Sequence, residues 1–169
     1  VDSGVDVAHE DLGQNAIWTN LNEIPGNGID DDGNGFVDDI HGYNFADDVP
    51  TPLQGYDRGT HGTHVAGTVA ARTDNGIGVA GMAPHARVMV LTCFGETSTR
   101  GFAEALVYAA DQGASIATNS YGGVSYRISA SLGAAIDYFN ANARGGLGGI
   151  VVAAVLCTRP RSHRISSFD

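Results

Sequence analysis

Val88-Met89-Val90-Leu91 and Gly149-Ile150-Val151-Val152-Ala153-Ala154-Val155 are nearly continuous apolar runs, and their reading decides the fold. A strand half-exposed to water alternates apolar and polar residues, whereas an unbroken run indicates a strand buried on both faces, as in a parallel sheet. A shorter run surrounds Ile116. Between these runs lie two amphipathic segments, one with Phe102, Ala103, Leu106, Val107 and Ala110 on a single helical face and one with Ile128, Leu132, Ile136 and Phe139. Strand, helix, strand, helix, strand predicts an α/β fold: a mostly parallel sheet, right-handed crossovers and helices covering the sheet. In such sheets the working groups collect at the carboxyl ends of strands, where Asp2, Phe94-Gly95 and Ser120-Tyr121-Gly122 fall.

The composition limits the chemistry. The 169 residues are 43% hydrophobic with 24 glycines, enough for one packed, turn-rich domain. The net charge of -10 is unevenly spread, because residues 1–57 hold 13 of the 19 acids and no arginine. Such acid crowding repels nucleic acid and anionic membrane but suits a hard, oxygen-loving cation. Cys93 and Cys157 are too few for a disulfide framework. No apolar run is long enough to span a membrane and no signal-peptide pattern is present, although the chain opens on Val1 inside what reads as the end of a strand.

Outward from the sheet, Thr60-His61-Gly62-Thr63-His64-Val65-Ala66-Gly67-Thr68 starts a helix that runs to about Arg72, with Thr60 suited to the N-cap and His61 in the first turn. The positive end of a helix dipole disfavours an imidazolium, so a histidine there is a candidate proton acceptor. Asp2, at the mouth of the first strand, is the carboxylate that could orient its ring. His64, one turn further, is expected on the packed side. A zinc-hydrolase reading of His61 and His64 fails on spacing, since two ligands on one helix face want i and i+4 with a glutamate between them. No zinc is expected.

The acidic, glycine-rich stretch from about 22 to 59 reads as a loop insertion. Within it, Asp30, Asp32, Asn34 and Asp38 occupy positions 1, 3, 5 and 9 of an EF-hand-type loop with Gly35 at position 6, which predicts calcium. Position 12 is His41, so Asp39 would have to close the site.

Four motifs in order, Asp2-Ser3-Gly4, His61-Gly62-Thr63-His64-Val65-Ala66-Gly67-Thr68, Gly78-Val79-Ala80-Gly81-Met82-Ala83-Pro84 and Asn119-Ser120-Tyr121-Gly122-Gly123, resemble the subtilisin-like serine proteases. The resemblance covers residues 1–155. It implies the three-layer subtilisin-like fold and peptide-bond hydrolysis, with Asp2 as orienting acid and His61 as general base. It implies that Ser120-Tyr121-Gly122 pairs with a polypeptide substrate and that Gly95 lies on the opposite rim. It also implies a structural calcium held by Asp11 and Asn75 side chains and by the carbonyls of Thr73, Ile77 and Val79. A removable prodomain and secretion follow from the same likeness.

The sequence departs from the family pattern at its end. Leu156-Cys157 stands where the family's Gly-Asn oxyanion segment is due, and no Gly-Thr-Ser-like nucleophile turn follows. Residues 156–169 carry Arg159, Arg161 and Arg164 and lose the apolar pattern, which reads as an atypical, frame-altered tail. The expectation is an incomplete catalytic domain, inactive alone. The alternative is a noncatalytic calcium- or peptide-binding module on the same fold.

Overall fold

The computed structural model describes residues 1–13, 16–50, 60–94, 101–121 and 128–154. Its elements run in the order β1 (Gly42–Asn44), α1 (Thr60–Ala70), β2 (Val90–Thr92), α2 (Phe102–Asp111), β3 (Ile116–Asn119), α3 (Ala130–Gly146) and β4 (Ile150–Ala153). Two parallel ladders form, β1 with β2 and β3 with β4. Residues 1–2 lie between them. Asp2 N donates to Leu91 O at 3.0 Å, Cys93 N donates to Asp2 O at 2.9 Å, and Val1 N donates to Thr118 O at 3.0 Å. The first residues therefore join the ladders and set Asp2 in the middle, at the carboxyl end that β2 and β3 share.

The α/β class with parallel strands and covering helices is as the apolar runs require. Three details differ. First, β1 forms inside the stretch read as an acidic loop; Gly42 approaches β2 so closely that a Cβ would lie 1.9 Å from Val90 O, so only glycine admits the pairing. Second, the central run pairs with β1 only from Val90, two residues into the run, and Val88 instead bridges Ile17 in parallel. Third, β1 and β2 are buried at every residue as the runs require, but β3 and β4 are not, since Ile116 is 61% and Ile150 60% exposed.

The covered face is the one under α2 and α3. Leu106, Ala109 and Ala110 of α2 pack with Ala135, Phe139 and Ala143 of α3 over Ala117 of β3. Small residues let the two helices and the sheet approach closely, and Gly149 is required there because a Cβ would sit 2.4 Å from the Phe139 ring. Ser129 caps α3 by accepting from Leu132 N at 3.2 Å, so Ile128 falls before the helix and is exposed rather than part of its buried stripe. A cluster of edge-to-face rings, Phe36, Tyr43, Phe45 and Tyr108, extends this core under β1.

On the other face, α1 buries Gly62, Ala66 and Ala70 with Val5, Leu12, Ile17 and Val90. That stripe repeats every four residues and puts His64 on the opposite side. His64 is exposed, not packed.

Candidate active site

The carboxyl ends of the central strands and the first turn of α1 meet at Asp2 and His61. Gly62 makes the meeting possible: a Cβ there would lie 2.0 Å from Gly4 O and 3.3 Å from Asp2 Cβ, so any larger residue would push the helix off the strand. Ser3 Oγ accepts from Gly62 N at 3.2 Å, satisfying one of the helix's open N–H groups from outside the helix. Thr63 Oγ1 accepts from Asp6 N at 2.8 Å and ties the same turn to the chain beyond the strand.

With the helix so placed, His61 Nδ1 lies 2.7 Å from Asp2 Oδ1. A carboxylate only accepts, so the neutral ring carries its proton on Nδ1 and presents the lone pair of Nε2. Ser3 N donates to the same Oδ1 at 2.7 Å, which fixes the carboxylate's orientation. The His61 side chain is 55% exposed and that of Asp2 only 10%. A buried acid that holds an accessible imidazole by Nδ1 makes Nε2 the nitrogen suited to exchange protons with a reactant. Asp2 Oδ2 is buried without a hydrogen-bond partner among the described residues. Beside it opens a groove of about 610 Å³, lined by Asp2, Gly62, Val65, Val69, Ile116 and Val152 among others.

A second group stands at the same end of the sheet. Ser120 and Tyr121 continue β3, while Gly95 and Gly122 lie outside the described residues. The Tyr121 ring leans on Phe102 at 4.2 Å and meets the edge of Phe94 at 5.6 Å. Burial pushes the Tyr121 phenol above its ordinary range, with the neighbouring Cys93 adding to the shift. Cys93 is buried as a free thiol, and desolvation raises it to about 12, which makes it an inert packing residue rather than a nucleophile.

Comparison with known proteins decides the family. The Subtilase family model matches residues 1–155. This chain is a subtilase.

Its relatives include a subtilisin-like protease 1 from Plasmodium berghei, 44% identical over 91 residues, which are 53% of this chain and 14% of that protein. A thermophilic serine proteinase from Bacillus sp. strain AK1 is 36% identical over 125 residues, 72% of this chain and 25% of that protein. Thermitase from Thermoactinomyces vulgaris is 41% identical over 87 residues, 50% of this chain and 30% of that protein. The subtilase chain thus spans at most 30% of the length of these three relatives. Among solved structures, MycP1 with its N-terminal propeptide removed superposes with a TM-score of 0.57 at 26% identity, over 90% of this chain and 40% of that one. No helix among the described residues is long and apolar enough to cross a membrane.

Two oxygen-rich regions of the subtilase chain remain. In the first, Asp11 is buried and its carboxylate accepts from Asn75 Nδ2 at 2.8 Å and Val79 N at 2.8 Å. These two bonds, the Asn75 amide first, hold the acid below the ordinary carboxylate range. Gly78 is required beside it, since a Cβ would stand 2.1 Å from Asp11 Oδ2, and its φ is +54°. The loop from Arg72 to Ala80, which carries Thr73, Asn75, Ile77 and Val79, rings a shallow cavity of about 270 Å³. Thr73, Asn75, Ile77 and Val79 therefore line one hollow, and Asp11 is tied to that loop through the Asn75 amide and the Val79 N–H.

In the second region, the carboxylates of Glu23, Asp32 and Asp39 converge within 4.8 Å. Of the four side chains that EF-hand spacing selects, only Asp32 stands in this group. Asp30 accepts from Asn34 N and Gly35 N, and Asp38 accepts from the N–H groups of Gly26, Asn27 and Gly28. The Asn34 side chain instead bonds the cluster, donating to Asp39 Oδ2 at 2.9 Å. The loop is not flanked by the helices that shape an EF-hand, and it folds back on Glu23, whose carboxylate accepts from Asp31 N, Asp32 N and Asp38 N. Glu23 lies seven residues before the motif, where spacing within the loop could not reveal it. Tyr108 of α2 closes the cluster by donating to Asp39 at 2.6 Å; burial first, then that bond, pushes its phenol far above its ordinary value.

Proposed function

We propose that this chain is the part of a subtilisin-class serine endopeptidase that holds the base and its orienting acid, His61 and Asp2. The 2.7 Å contact between His61 Nδ1 and Asp2 Oδ1 carries this reading. In hydrolysis of a peptide bond, Nε2 takes the proton of an attacking serine and returns it to the leaving amine, while Asp2 holds the ring and stabilises the imidazolium. This reading needs a serine and a side-chain oxyanion donor, and it assigns neither role to a residue of 1–155. The apolar groove beside Asp2 and Gly62 is the open space next to the dyad from which a segment carrying them approaches. The substrate is a polypeptide, its main chain pairing with Ser120-Tyr121-Gly122 and facing Gly95 across the cleft. A removable prosegment and export from the cell accompany the class.

Calcium is the cofactor of this reading. Asp11, Asn75 and the carbonyls of Thr73, Ile77 and Val79 would hold one ion, and Glu23, Asp32 and Asp39 a second; both sets offer oxygen alone, which suits calcium and not zinc. Bound there, the ion supplies charge neutralisation that fastens loops far from the reacting atoms.

A serine-directed fluorophosphonate tests the proposal. The 169-residue chain is expected to remain unlabelled, while a polypeptide that extends it through the rest of the domain is labelled and loses the label with His61→Ala. Labelling of the 169-residue chain itself contradicts the proposed division of the triad.

A further inference from the structure

Asn119, the last residue of β3, is 3% exposed and uses its whole amide. Its Nδ2 donates to Ala117 O at 3.2 Å within β3 and to Val152 O at 3.1 Å on β4. Its Oδ1 accepts from the Tyr121 hydroxyl at 3.0 Å. No other residue of this size supplies two donors and an acceptor in that geometry: aspartate would turn an oxygen towards two carbonyls, and leucine would take from the Tyr121 hydroxyl the acceptor it uses here. Through the hydroxyl, the amide holds the far end of the Tyr121 ring, while Phe102 and Phe94 bracket its face and edge. The ring is thus gripped by the ends of β2 and β3–β4 and by the start of α2. Its backbone has little freedom left to depart from the line of β3.

We propose that Asn119 is a positioning residue for peptide binding: by fixing the Tyr121 hydroxyl it keeps the Ser120–Tyr121 edge preformed for main-chain pairing with an extended polypeptide. The inference rests on the peptidase reading above and adds to it the residue that makes the binding edge rigid. A preformed edge binds without the ordering cost that a loose segment would bear on each encounter.

The test pairs two variants with two readouts. Asn119→Leu keeps the branched shape and removes all three hydrogen bonds; Tyr121→Phe removes only the hydroxyl. In the complete protease that carries this chain, each is expected to raise KM for an extended peptide amide about three- to tenfold, the worth of one hydrogen bond, with kcat changed by less than about twofold. A single-residue ester, which has no main chain to pair, shows no change in KM. The double variant binds no worse than Asn119→Leu alone, because Tyr121→Phe removes a bond already gone. Equal losses on ester and peptide, or losses that add, would make Asn119 a support of the sheet only and overturn the proposal. Amide hydrogen exchange at residues 120–121 supplies the second readout and needs no catalysis: protection falls in both variants, and unchanged protection overturns the proposal even if the wild-type protein hydrolyses nothing, a result that would count against the peptidase reading instead.

Discussion

The two faces of the sheet are built differently. Under α2 and α3, Ala110, Phe139 and Ala143 are buried in one large core, and the aromatic cluster of Phe36, Tyr43, Phe45 and Tyr108 belongs to the same core. On the α1 side the core is smaller and aliphatic, and it ends at the groove where Ile116 and Val152 are exposed. The dyad stands on the less filled side. Close packing fixes positions but leaves no room for a reactant, so the covered face supplies rigidity and the open face supplies access.

The sharpest way to break this contrast is to truncate one apolar side chain on each face. Phe139→Ala is expected to cost about 3–5 kcal/mol in urea denaturation, the usual toll of a vacated aromatic core site. Val152→Ala, 50% exposed in the native structure, should cost less than about 1 kcal/mol. Similar costs would mean that the open face is packed in solution and that the contrast is false.

A smaller effect separates the faces by pH. Asp11 fastens the loop after α1 through Asn75 and Val79, and its carboxyl is held below the ordinary range. A group with a lowered folded pKa contributes stability that is present above the unfolded value, about 3.9, and is lost as pH falls through the folded one. Hydrogen exchange in the 72–80 loop should therefore quicken below about pH 4 before exchange in α2 and α3 does. Asp11→Asn should remove that acid-dependent step while leaving the helices unchanged. Simultaneous loosening of both faces would show that Asp11 is not the fastener of the α1 side.

Much of this was legible in the sequence, and the exceptions share a cause. The apolar runs mark the parallel strands, and the spacing of Leu106, Ala110 and Phe139 marks the helices that cover them. Asp2 and His61, 59 residues apart, are joined because each sits at a recognisable strand end or helix start. Three contacts were not readable. β1 hides among acids and glycines, because its strand character comes from pairing with β2 rather than from its own three residues. Glu23 joins Asp32 and Asp39 only when the loop folds back, a tertiary event that local spacing does not encode. The side of α1 facing the core is set by Gly62, Ala66 and Ala70, residues too small to stand out against His64 in an apolar pattern.

The central claim is that Asp2 holds His61 as a neutral base with its proton on Nδ1. Nitrogen-15 NMR of the His61 ring at a pH where imidazole is neutral tests it directly. The account predicts a protonated Nδ1 and a bare Nε2, and loss of this preference in Asp2→Asn, whose side chain can donate to the ring as well as accept. A ring protonated on Nε2 in the wild-type chain, or one unaffected by Asp2→Asn, would contradict the account.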